Sequence, residues 1–166
     1  MKTLIVGCGY VGLALGAELS RRGHEVFGLR RTPAGAAELL QAGIQPAYGD
    51  VTRATDLETL PGPFDWVVNA VSSSRGGVED YRAVYLGGMR TLVTWLLKAR
   101  PRKLVYTSST SVYGQEDGSW VDETSPTQPE AETGRVLIET ERVALEAARG
   151  QNLPVVVLRL AGIYGP

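Results

Sequence analysis

Short runs of apolar, largely β-branched residues recur along the chain. They are separated by stretches in which apolar positions return every three or four residues. The runs at residues 3–6, 25–29, 44–48, 66–71, 103–107 and 155–160 read as strands. Several are apolar nearly throughout, the pattern of strands covered on both faces. Residues 13–22 read as a helix closed by Gly23, at the position that tolerates a left-handed backbone. Residues 34–42 read as a second helix, opened by Thr32-Pro33 as cap and first-turn proline and stopped at Gly43. Val78, Tyr81, Tyr85, Leu92, Trp95 and Ala99 fall on one helical face. Val136, Thr140, Val143 and Ala147 fall on another, beside Leu137, Ala144 and Ala148, in a helix for which Thr133 stands at the start.

Strand and helix in strict alternation predict an α/β fold, a doubly wound parallel sheet with helices on both faces and right-handed crossovers. A ligand then belongs beyond the carboxyl ends of the strands, where the winding direction reverses. Residues 114–129 break the alternation. They are polar and rich in Gly, Pro, Ser and Asp, and read as a long functional loop. At 166 residues the chain suffices for one domain with its own core. A net charge of −1 gives no general attraction to nucleic acid or to a membrane surface, and neither is expected as a partner. The apolar N-terminus is broken by the glycines of GCGYVG, so no signal peptide is expected, and no run has the length of a membrane span. Cys8 is the single cysteine, so an internal disulfide is excluded and a reducing, cytoplasmic location is expected. The single histidine, His24, sits in a turn and leaves little room for a histidine-based metal site or a Ser-His-Asp triad. No metal is expected.

The candidate chemistry sits at the strand ends. GCGYVG, residues 7–12, follows the first strand and opens a helix, the context in which a G-x-G-x-x-G turn holds a dinucleotide. Gly7 allows the sharp turn, Gly9 the approach of a pyrophosphate, and Gly12 the packing of helix on strand. Tyr10 and Val11 open the helix whose N-terminus faces the negative charge. Cys8 is read as a small residue that fits. At the end of the second strand a carboxylate would select NAD by bonding the ribose 2′-hydroxyl. Arg30-Arg31 stand there instead, which favours a 2′-phosphate and hence NADP, with NAD as the alternative. The same arginines count against a methyltransferase. After the third strand comes GDVT, where Asp50, beside Val51, either accepts a hydrogen bond from the adenine amino group or caps the short helix that follows. Asn69, Ala70 and Val71 supply small residues where the cofactor passes. The fifth strand ends in YTSSTSVYG, placing hydroxyls where a substrate carbonyl or alcohol would lie. The plainer alternative is that they satisfy backbone groups at the strand end.

The pieces GCGYVG, Arg30-Arg31, GDVT, NAV, YTSSTSVYG, VDETSPTQP and LRLAGIYGP run in order over the whole chain. Together they resemble the short-chain dehydrogenase/reductase superfamily, and within it the extended NAD(P)-dependent epimerase/dehydratase group. The resemblance implies an NAD(P)-binding Rossmann fold over residues 1–166. It also implies an oxidoreductase acting on a nucleotide-sugar or related carbonyl or alcohol. It assigns cofactor binding to Gly7, Gly9, Gly12, Arg30, Asp50 and Asn69, and polarisation of the substrate to Ser109. That family also uses a tyrosine as general acid/base and a lysine four residues later. Pro129, Gly134 and Glu141 match the surrounding pattern, but Thr133 holds the tyrosine position and Leu137 the lysine position. The chain therefore resembles the atypical branch that lacks the pair, and Tyr113 is expected to line the pocket as a substitute acid. The family's smaller substrate-binding portion would begin where this sequence ends, so a fragment and a protein reduced to its cofactor domain both stay open. So do two functions, an NADP-preferring oxidoreductase and a cofactor-binding sensor without turnover. The family's pairing of the two long helices across a two-fold axis predicts a homodimer.

Overall fold

A computed structural model of the protein describes residues 1–73 and 76–165. Six strands, β1 (Lys2–Val6), β2 (Glu25–Arg30), β3 (Gln45–Tyr48), β4 (Trp66–Asn69), β5 (Lys103–Ser109) and β6 (Val155–Leu160), form one parallel sheet in the order β3-β2-β1-β4-β5-β6. The connections wind outward in both directions from β1 and β4, and the carboxyl ends of those two strands bound the crevice where the winding reverses.

Helices α1 (Tyr10–Arg21) and α2 (Ala36–Gln41) belong to one face of the sheet, where Ile5, Val26 and Val68 pack with Leu39 and Ile44. The other face carries the larger core. There Leu4, Val6, Val67, Leu104 and Tyr106 meet residues of α3 (Ala54–Glu58), α5 (Gly88–Leu96) and α6 (Glu132–Gln151). Period-two alternation decides which residue goes where. Val6, Asn69 and Tyr106 stand side by side in register, so all three point to the α5–α6 face.

The structure differs from the sequence pattern at several ends. α1 starts at Tyr10, because the glycine turn runs directly into the helix. α2 starts at Ala36 behind Gly35, whose φ of 77° makes the entry, so Thr32-Pro33 form a turn rather than a cap. β4 stops at Asn69, leaving Ala70 and Val71 in the following loop. The helix after it is not continuous α. It runs as α4 (Val78–Tyr81), a π-helical segment Arg82–Gly87, then α5. The wider turn changes the helical phase, so the apolar stripe is not one face: Met89, Leu92, Val93 and Leu96 are buried, whereas Ala99 lies past the helix and is exposed. α6 begins at Glu132 with Thr133 already inside its first turn.

Apolar side chains of the segment from α4 to α5 pack within the chain. Leu92 is fully buried, Trp95 packs on Phe64 with ring centroids 6.2 Å apart, and Tyr85 leans on the core. Pro166, the last residue of the terminal motif, lies outside the described residues.

Candidate active site

The carboxyl ends of β1, β2 and β4 open onto a cavity of about 500 Å³, and a second of about 380 Å³ adjoins it toward β5 and β6. Gly9, Val71 and Ser72 line both, so the two form one groove across the point where the winding reverses.

The glycine turn forms the waist of this groove. Gly7 has φ of 79°, and a Cβ on it would lie 2.6 Å from the Val71 Cα, so no other residue fits. A Cβ on Gly12 would meet Ile5 at 2.9 Å, which seats α1 against β1; Gly12 lines neither cavity and serves packing. A Cβ on Gly9 would meet no atom of the described residues within 4 Å beyond its chain neighbours, so the space above it is open. Leu13 N–H is bonded to the Gly9 carbonyl, so the amides of Tyr10, Val11 and Gly12 precede the first such intrahelical bond. The first turn of α1 carries no acidic residue. Open space, amides without an intrahelical partner and a positive helix end are what a pyrophosphate requires, so these residues fit a dinucleotide. Cys8 is fully buried, and burial pushes its thiol up to about 11, so it is inert at neutral pH.

The end of β2 departs from expectation. Arg30 lines the larger cavity, but its guanidinium is engaged behind the glycine turn. Nε donates to the Cys8 carbonyl at 2.5 Å, Nη1 to the Gly35 carbonyl at 3.3 Å, and Nη2 to the Glu38 carboxylate at 3.0 Å. It therefore ties the turn to the start of α2, and the Glu38 charge disfavours a phosphate at the same place. Arg31 and Thr32 line the same cavity.

Asp50 and Val51 also line it. Asp50 does not cap α3, whose N-cap is Arg53; its carboxylate accepts from the Thr52 N–H at 2.9 Å and the Thr52 hydroxyl at 2.7 Å. Burial raises that carboxyl, but the Thr52 bonds and the nearby Arg31 and Arg53 charges outweigh it and hold it below the usual range. Ala70 and Val71 line the groove. Asn69 does not: register turns it to the α5–α6 face, fully buried, with both amide atoms lacking a hydrogen-bond partner among the described residues.

The smaller cavity gathers Tyr10, Val11, Ala70, Tyr81, Tyr85, Ser109 and Leu137. Ser109 Oγ accepts from the Ser111 N–H at 3.1 Å, which leaves its own proton for another acceptor. Leu137 is 4% exposed and forms part of the wall; Thr133 is absent from it. Tyr113 is absent too. Its hydroxyl donates to the Asp122 carbonyl at 2.8 Å and accepts from Arg159 Nη1 at 2.9 Å, with that guanidinium 4.9 Å from its ring centroid. Tyr113 thus anchors the 114–129 loop, and the part of substitute acid does not fit its position.

A network of which the sequence pattern marked only Glu141, without its partners, lies behind the serines. Glu141, 3% exposed, accepts from Ser108 Oγ at 2.6 Å and from Arg159 Nε and Nη2 at 3.1 and 2.8 Å. The Glu141 bonds drive the Arg159 guanidinium still higher than usual. The pair fixes α6 to β6 and, through Ser108, to the end of β5. The available signal was a charge inside each of two apolar stretches, Arg159 in VVVLRL and Glu141 on the buried stripe of α6.

The NAD dependent epimerase/dehydratase family model matches residues 3–166. Protein YeeZ of Escherichia coli (strain K12) is 37% identical over 175 residues, covering 99% of this chain and 60% of that protein. A UDP-glucose 4-epimerase of Corynebacterium glutamicum is 29% identical over 174 residues, covering 99% of this chain and 53% of that protein. The solved UDP-glucose 4-epimerase of Bifidobacterium longum, in complex with NAD+ and UDP, aligns at 21% identity over 96% of this chain and 52% of that one, with a TM-score of 0.83, a likeness of fold. The chain thus spans little more than half the length of these proteins.

Proposed function

The chain belongs to the NAD dependent epimerase/dehydratase family, and on that footing we propose that it is an NADP-preferring oxidoreductase of the atypical branch. Its substrate is a nucleotide-sugar or a related carbonyl or alcohol. The observation that carries the reading is the open space over Gly9 at the N-terminus of α1, continuous with the hydroxyl-lined cavity at the end of β5. When bound, the nicotinamide ring supplies or accepts a hydride. The residues of this chain hold and orient. The first-turn amides of α1 take the pyrophosphate, Asp50 stands toward the adenine end, and Arg31 with Thr32 meets the 2′-phosphate while Arg30 braces the turn. Ser109, whose oxygen already accepts from Ser111 N–H, donates a hydrogen bond to the substrate oxygen.

The relatives named as UDP-glucose 4-epimerases support the sugar nucleotide as substrate class. The test is to supply UDP- and dTDP-hexoses and their keto derivatives with NADPH or NADP+ and follow nicotinamide absorbance. Turnover of one of them with preference for NADP(H) is expected. A second reading rests on Leu137, which fills the lysine position with a packed, uncharged side chain: a cofactor-binding sensor without turnover. Tight NADPH binding with no oxidation or reduction across the whole panel would favour it.

A further inference from the structure

Resting on that oxidoreductase reading, we infer that Tyr85 is the proton-transfer residue of the site, acting from a different element than the helix that carries Thr133. The substrate cavity contains no Lys, His, Asp or Glu among its described lining residues; its ionisable side chains are Tyr10, Tyr81 and Tyr85. Tyr10 is 57% exposed at the rim. Tyr81 and Tyr85 pack ring against ring, with centroids 4.7 Å apart, so they act as a unit on one wall. The Tyr85 oxygen accepts from the Ser73 N–H at 3.3 Å, and its hydroxyl is also hydrogen-bonded to Tyr81. Ser73 is itself anchored, its hydroxyl bonded to the Asp80 carboxylate and accepting from the Gly76 N–H at 3.0 Å. An N–H aimed at a phenol oxygen stabilises the phenolate left after proton transfer.

Tyr85 lies within the π-helical segment Arg82–Gly87, the one place in this helix where the backbone leaves α geometry. The ionisable groups near it are Tyr81 and Asp80 on α4, Tyr106 on β5 and Tyr10 on α1, while α6 presents Leu137. Burial outweighs the Ser73 bond, and together with Tyr81 and Asp80 it raises the phenol above its ordinary range. At neutral pH Tyr85 is therefore protonated, the state an acid requires.

In the reducing direction the carbonyl carbon gains a hydride from the dihydronicotinamide, and the C=O π pair passes to oxygen. That oxygen forms its O–H bond with the proton of Tyr85 as the phenol O–H bond breaks, and the phenolate regains a proton from water. Ser109 holds the same oxygen by a hydrogen bond and exchanges no proton.

The test uses the full chain carrying 13Cζ-tyrosine, with the Tyr85 resonance identified by its loss in Tyr85→Phe. The resonance is titrated from about pH 7 to about pH 11, without cofactor, with NADP+ and with NADPH. The cationic ring of NADP+ is expected to lower the Tyr85 midpoint by about one pH unit or more, and NADPH to lower it less. Tyr85→Phe should keep NADP+ affinity within about threefold and, on any panel sugar turned over, lower kcat by about 100-fold with KM nearly unchanged. A Tyr85 midpoint indifferent to bound NADP+, or a Tyr85→Phe protein with native kcat, overturns the assignment and leaves the oxidoreductase reading standing. Failure of NADP+ to bind the native protein removes that reading, and this one with it.

Discussion

Leu137 holds the lysine position of the family pattern, and its replacement by alanine separates packing from catalysis. The side chain is 4% exposed, packed on one side and bordering the substrate cavity on the other. Truncation removes three carbons, worth about 0.8 kcal/mol each in transfer free energy. Where such a site is closed, the void adds to this and the total reaches about 2–5 kcal/mol. Here the space opens into an existing cavity, so the loss should fall at the lower end, about 2–3 kcal/mol. For a chain of this size that is a drop of roughly 4–12 °C in Tm. Urea denaturation of native and Leu137→Ala protein measures the loss, and NADP+ titration of both checks the site. Stability should fall with cofactor affinity nearly unchanged. Native stability combined with abolished activity would mean that Leu137 takes part in the chemistry, and would refute the view of this position as a packed wall.

Other consequences follow from single contacts. Arg159→Leu strands the Glu141 carboxylate, whose side chain is 4% exposed, and should cost about 3–5 kcal/mol in urea denaturation; adding Glu141→Gln should recover part of it. Burial first, with the charges of Tyr85 and Glu141, raises the Tyr106 phenol in the folded chain, although the Ser108 and Thr140 hydroxyls oppose the shift. The unfolded chain sheds that proton near about pH 10, so stability is complete below that pH and eroded above it, and Tyr106→Phe should flatten this alkaline loss in pH-dependent melting. Thr133→Ala should leave NADP+ affinity and any turnover nearly intact, whereas Ser109→Ala should keep stability and lower turnover by about 100-fold; the opposite ranking in steady-state assays would contradict both assignments.

The alternation of apolar runs located all six strands and the glycine turn, because strand length, period and the Gly7–Gly12 spacing are local properties. What was not legible depends on partners far along the chain. Asn69 sits beside Ala70 and Val71 in sequence, but pairing of β4 with β1 and β5 turns it into the core while its two neighbours line the groove. Arg30 has the right offset for a 2′-phosphate, yet Glu38 and the carbonyls of Cys8 and Gly35 engage it from other elements. Tyr113 reads as a strand-end pocket residue until Arg159, 46 residues on, is seen to hold its hydroxyl. The π-helical segment leaves no mark in apolar spacing, which is why Tyr85 read as one more residue of a packing stripe.

The central claim is that a nicotinamide dinucleotide lies across the glycine turn, its pyrophosphate over Gly9 and its 2′-phosphate at Arg31. Calorimetric titration of NADP+ and NAD+ into the native protein, Arg31→Ala, Arg30→Ala and Gly9→Val tests it directly. Native protein should bind NADP+ more tightly than NAD+. Arg31→Ala should lose about 1.5–3 kcal/mol for NADP+ alone, the worth of a charge-assisted contact. Arg30→Ala should weaken both cofactors, because it loosens the turn they share. Gly9→Val, which fills space empty to 4 Å, should fold normally and bind neither. Failure of the native protein to bind either dinucleotide, or undiminished binding by Gly9→Val, would contradict the account.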